Sequence, residues 1–169
     1  IMYVNFIFVA IFLGYSLGSA PIISFHYGAG NHSELKNMFK KSLWLIGIWG
    51  VCMTLISHIF ANPFARFFVG YDKELLEMTV HGFLIYATVY LINGFNIFGS
   101  SFFTALNNGM ISALISFLRA LVFEVAAILL LPYLFGINGI WSAVIVAELL
   151  ALCVTIFFLI KKRGYYHYG

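Results

Sequence analysis

An all-α integral membrane fold, a bundle of five spanning helices, is the class this sequence predicts, on three observations. Of its 169 residues, 63% are hydrophobic and only 9% charged, where ordinary soluble domains carry roughly 25% charged residues. The apolar residues fall into five runs, each long enough to supply the roughly 20 residues a helix needs to cross a hydrocarbon core. No run shows the alternating segments of about 10 residues that mark barrel strands. A net charge of +3, spread along the chain, is too small and dispersed for nucleic-acid binding.

The first predicted span covers residues 2–25 and is interrupted by Gly14, Gly18 and Pro21. Gly14 and Gly18 form a GxxxG pair that lets a neighbouring helix approach closely. Pro21 removes a backbone donor and predicts a bend. Tyr27-Gly28-Ala29-Gly30-Asn31 ends this helix, and Asn31 with Glu34 resembles a capping box that starts the next. The second span covers 38–60. Residues 61–79, from Asn62-Pro63 to Glu77, read as an interfacial helix or hinge. The third span covers 80–106, the fourth 110–135 and the fifth 137–160, the last two joined by a tight corner at Gly136.

Charge orients the bundle. Lys36, Lys40, Lys41, Lys161, Lys162 and Arg163 fall on one side, and only Arg66 and Lys73 on the other. Short loops rich in Lys and Arg stay in the cytoplasm, so the first loop and the C-terminus are expected there, in a multi-pass plasma-membrane protein. The chain opens on Ile1 inside an apolar run, with no basic leader. A signal peptide is therefore not expected, and a piece of a longer protein is. Cys52 and Cys153 lie in apolar runs without CxxC spacing and read as inert, buried thiols.

Function is looked for where polarity is costly. Glu124 lies eleven residues before Phe135, on one side of the corner, and Glu148 eleven after Ile137, on the other. At about 1.5 Å rise per residue both sit roughly 16 Å deep, near the middle of a core about 30 Å thick. Ionisable residues at that depth mark ion or substrate pathways. The bland alternative for Glu148 is a structural acid paired with Arg119. On an ideal helix Arg119 and Glu124 point about 140° apart and do not pair with each other. Asn93 and Asn96, three apart, share one face and either glue helices together or, with Tyr86, Tyr90 and Ser100, line a cavity suited to flat cations. His58 and His81 read as interfacial residues at the outer end. No catalytic set, phosphate loop or metal-ligand spacing is present, so an enzyme, metal site or cofactor is not expected.

Two stretches carry a family resemblance. One is Gly14-Tyr-Ser-Leu-Gly18 through Pro21 and Tyr27-Gly28-Ala29-Gly30-Asn31 to Lys40-Lys41-Ser42. The other is Ser116-Phe-Leu-Arg119 through Leu131-Pro132, Phe135-Gly136-Ile137 and Gly139-Ile140-Trp141 to Ala147-Glu148. Between them, Ile85-Tyr86, Gly94-Phe95-Asn96 and Phe103-Thr104-Ala105 fit the family's tenth span. In order and spacing these resemble the multidrug and toxin extrusion (MATE) transporters.

The resemblance implies twelve helices in two lobes, with residues 1–169 forming the partial C-terminal lobe, helices eight to twelve without its first helix. It implies antiport: organic cations leave the cell in exchange for H+ or Na+, with no cofactor. The implied partners are the lipid bilayer, the N-terminal lobe and the absent first helix. An acid at Glu124 is a departure from the family pattern. The nearest rival is a lipid-linked oligosaccharide or polysaccharide flippase of the same superfamily, whose pyrophosphate cargo asks for many cavity cations where only Arg119 is visible. A membrane-embedded enzyme or scaffold is the rival from another class.

Overall fold

A computed structural model describes residues 1–169. It is all-helical, and five helical stretches are long and apolar enough to cross a membrane: Met2–Gly28, His32–Ile59, Lys73–Ala105, Gly109–Phe135 and Ile137–Tyr166. We number the helices α1 (Met2–Gly28), α2 (His32–Ile59), α3 (Ala61–Val69), α4 (Lys73–Tyr86), α5 (Asn93–Ala105), α6 (Gly109–Phe117), α7 (Glu124–Phe135) and α8 (Ile137–Tyr166), of which α3 lies between the second and third spans. A 3₁₀ segment, Ala87–Leu91, joins α4 to α5, and a π-helical turn, Leu118–Phe123, joins α6 to α7.

Short polar side chains start the helices where the sequence places them. Asp72 Oδ1 accepts from the amides of Glu74 and Leu75 at 3.0 and 3.1 Å, and Asn108 Oδ1 from Ile111 at 3.1 Å. Each satisfies donors that an open first turn would leave unpaired. Asn31 caps α2 through the Glu34 amide at 3.2 Å, but the Glu34 carboxylate turns to Asn37 instead of returning to Asn31. Half of the expected capping box therefore forms. Gly136, at φ +58° and ψ −135°, makes the corner between α7 and α8 in backbone space that residues with a Cβ avoid.

Several expectations need correction. The first span is not interrupted: α1 runs through Gly14, Gly18 and Pro21 as one helix, since a membrane bundle tolerates proline when neighbouring groups take up the freed backbone. A Cβ at Gly14 or Gly18 would meet nothing within 4 Å, so no helix of this chain packs there. The close approaches are made elsewhere. A Cβ at Gly94 would strike Phe12, one at Gly99 would strike Thr155, and one at Gly82 would strike the Trp141 ring. The third span starts earlier than expected, at Lys73, and is broken midway by the 3₁₀ segment. Cys52 and Cys153 are exposed on the outside of the bundle, not buried. The segment after α2 does form a separate short helix, α3, with Ala61 and Ala65 buried and Phe67 outward.

The core is aromatic. Phe12, Tyr90, Phe98, Phe102, Phe103 and Tyr168 are fully buried around α5, which packs against α1, α2, α6 and α8. His167, at φ +57°, turns the tail back so that Tyr168 inserts between Phe39 and Phe102, at ring distances of 5.0 and 4.9 Å. Its hydroxyl donates to the Leu159 carbonyl at 2.7 Å. Burial pushes that hydroxyl well above its ordinary pKa, so Tyr168 stays neutral at any physiological pH. Overfilling a close-packed contact of this core costs about 1–3 kcal/mol. Gly99→Val is expected to lower the melting temperature of the detergent-solubilised protein, whereas Gly164→Ala, which meets nothing, leaves it unchanged.

Candidate functional site

The polar residues within the membrane-length helices divide into a closed network and an open one. α8 is apolar nearly throughout, yet it buries Glu148 against α5. A carboxylate there must be matched by a cation and its remaining lone pairs by donors. Arg119 Nε lies 2.8 Å from Glu148 Oε1, the one ion pair of the structure. Asn96 Nδ2 donates to Glu148 Oε2 at 2.7 Å and to the Glu148 carbonyl at 2.9 Å. Thr155 Oγ1 donates to Asn96 Oδ1 at 3.0 Å. Four side chains from α5, the π turn and α8 thus close on one another. The pairing of Glu148 with Arg119, weighed as the bland alternative, is the arrangement observed.

The π turn decides how Arg119 reaches that network. In an α-helix residues five apart diverge by about 140°, whereas a turn closed from i to i+5 brings them toward one side. Leu118–Phe123 is such a turn, so the straight-helix angle does not apply, yet Arg119 and Glu124 do not pair with each other, as expected. Glu124 makes no ion pair and no side-chain hydrogen bond, and the guanidinium goes to Glu148 alone. π turns are uncommon and recur at functional positions.

Glu124 opens instead onto a cavity of about 480 Å³ between the start of α1, α3, α4, α7 and α8. Its wall includes Phe64, Phe68, Phe83, Tyr86 and Trp141. Of the predicted site residues, only Tyr86 and Glu124 share this space. Asn93, Asn96 and Tyr90 do not line it: all three are buried, Tyr90 packing edge-on against Phe8 at 5.0 Å and Tyr86 at 6.2 Å. Ser100 faces α6, bonded to Ser112 and Ser116 at 2.8 Å each. Asn93 Oδ1 and Tyr90 Oη are buried without a partner beside the 3₁₀ break.

Sequence reasoning missed three contributors. Thr155 completes the amide network, and nothing in its apolar surroundings on α8 distinguishes it. Thr54 Oγ1 bonds the Gly50 carbonyl at 2.8 Å and the Ala87 carbonyl at 3.3 Å, tying α2 to the break. Trp141 forms the cavity wall; its place one turn after the Gly136 corner was the available signal. His58 and His81 bond the Thr54 carbonyl and Asn138 Oδ1, outside the cavity wall.

The fold matches the crystal structure of the Vibrio cholerae MATE transporter VcmN in its bent form, with a TM-score of 0.87 at 17% identity. It also matches an inward-facing multidrug resistance MATE transporter of the MOP superfamily, with a TM-score of 0.89 at 15% identity. The alignments cover 97% and 98% of this chain and 38% of each of those proteins. No curated protein sequence matches the chain. The MatE family model matches residues 1–130, and the chain belongs to that family of membrane transporters.

Proposed function

We propose that the chain is the C-terminal-lobe portion of a secondary antiporter that exports organic cations from the cell in exchange for H+ or Na+. The observation that carries this reading is an acid, Glu124, set free of ion pairs on the wall of an aromatic cavity about 480 Å³ in volume. Flat cations are held by aromatic faces and by a carboxylate in a weakly screened site. A carboxyl group that can be neutralised by a proton or a cation releases such a cargo when it is. Alternating access then couples the two events, with binding near the midplane. Tyr90 Oη and Asn93 Oδ1, unpartnered beside the broken third span, support a coupling cation in that region.

The two acids take different parts. Glu148, bound by Arg119 and Asn96, is a fixed charge that holds α8 to α5 and the π turn; Glu124 is the exchanging group. Arg119 is neutralised by Glu148, which leaves the cavity without a free cation and argues against the pyrophosphate-bearing cargo of a flippase. The remainder of the transporter, including an N-terminal lobe and the first helix of this lobe, faces the same cavity. The C-terminus and the Lys-rich first loop are cytoplasmic, as the charge asymmetry supports, and the membrane in this reading is the plasma membrane.

Glu124→Gln in the complete transporter is expected to abolish dye-cation export or its pH dependence while leaving the melting temperature near wild type. Glu148→Gln leaves the part-buried Arg119 guanidinium without its carboxylate partner, so its first effect is a lowered melting temperature. Unchanged export and pH profile in Glu124→Gln would remove the carboxyl from the mechanism. Export of a fluorescent cation, measured with the Na+ and proton gradients collapsed in turn, is expected to fail with one of them. Export indifferent to both would refute antiport.

A further inference from the structure

On the outside of α2, away from the cavity, the surface carries a groove of about 870 Å³ that no part of the proposed transport cycle uses. It runs along one face of a single helix, from Lys40 past Trp44, Gly47 and Ile48 to Cys52. Its floor is made by the absence of a side chain at Gly47, where an added Cβ would only touch Phe95 at 3.6 Å. Trp44 is 75% exposed beside it. α2 packs chiefly on α1, α5 and the 3₁₀ segment, which places the groove on the opposite, outward surface.

We propose that this groove is a binding site for an anionic phospholipid of the leaflet on the Lys-rich side. The dimensions fit one leaflet: Lys40 and Cys52 are twelve residues apart, about 18 Å along a helix, against about 15 Å for half of a 30 Å hydrocarbon core. Polarity runs in the same sense. The cation stands at the headgroup end, the exposed indole one turn deeper, and the Gly47–Cys52 portion is apolar, matching phosphate, interface and acyl chain in order. Lys36 lies one turn before Lys40 on the same face. The lone ion pair of the structure is elsewhere, so neither ammonium is neutralised by protein. Basic side chains beside a membrane helix attract anionic headgroups, and a chain seated over Gly47 gives that attraction a fixed position.

The test uses the full-length transporter in nanodiscs of phosphatidylcholine doped with brominated lipid, reading the tryptophan quenching that disappears in Trp44→Phe. Brominated phosphatidylglycerol is expected to quench Trp44 at about fivefold lower mole fraction than brominated phosphatidylcholine, the preference that one headgroup-facing lysine supplies. Lys40→Gln is expected to erase the preference. Gly47→Leu, which fills the groove while keeping the charge, is expected to weaken quenching by both lipids. Its unchanged melting temperature would show that the fold is intact. Equal quenching by the two lipids in the wild type, or a preference that survives both substitutions, would overturn the proposal. So would no quenching by either lipid, or disulfide cross-linking of Cys52 to a second copy or another protein segment, since a protein would then occupy the groove.

Discussion

A buried carboxylate in a hydrocarbon environment has few stable solutions, and the one adopted by Glu148 sets the geometry around it. Its Oε1 takes the Arg119 guanidinium at 2.8 Å and its Oε2 the Asn96 amide at 2.7 Å. For those partners to meet, α5 must present Asn96 toward α8, and the chain before α7 must turn Arg119 inward. The first requirement is met by Gly99, where the missing side chain lets Thr155 close in and bond Asn96. The second is met by the π turn at Leu118–Phe123. A charge that would be expensive alone thereby becomes the point at which three helical segments register.

Fixing one acid is what leaves the other distinct. Arg119 has a single carboxylate in direct contact, and it is Glu148. Glu124 therefore keeps its carboxyl group for the cavity, beside aromatic rings and the apolar side chains of Val144, Ile128 and Ile140. The contrast between a clamped charge inside the bundle and a free one on the cavity wall follows from where the π turn places a single guanidinium. It requires no difference in chemistry between the two glutamates.

Long-range features were legible in the sequence to the degree that hydropathy controls them. Five spans, the all-helical class, the Gly136 corner and the cap at Asn31 all follow from runs of apolar residues and from short polar side chains at their ends. The 3₁₀ and π segments were not legible, because Ala87–Leu91 and Leu118–Phe123 have the same apolar composition as the α-helices they interrupt. Their departure comes from packing, as where α2 approaches so closely at Gly50 that a Cβ there would lie 2.7 Å from the Tyr90 carbonyl. The Gly14/Gly18 expectation erred for a related reason. A small-xxx-small spacing says that a helix may be approached, while only the fold says which glycines are. Likewise Asn93 and Asn96 share a face, but depth within the bundle, not spacing, turned that face away from the cavity.

The 3₁₀ segment also has a mechanical meaning. Five residues rise about 2.0 Å each as 3₁₀ and about 1.5 Å each as α-helix, so the same stretch differs by about 2.5 Å in length between the two forms. Ala87–Leu91 sits between α4, which carries the cavity wall, and α5, which carries the amide that binds Glu148. Conversion of this segment from one form to the other would shift the cavity-facing end of the third span by about half a helical pitch relative to the half that binds Glu148.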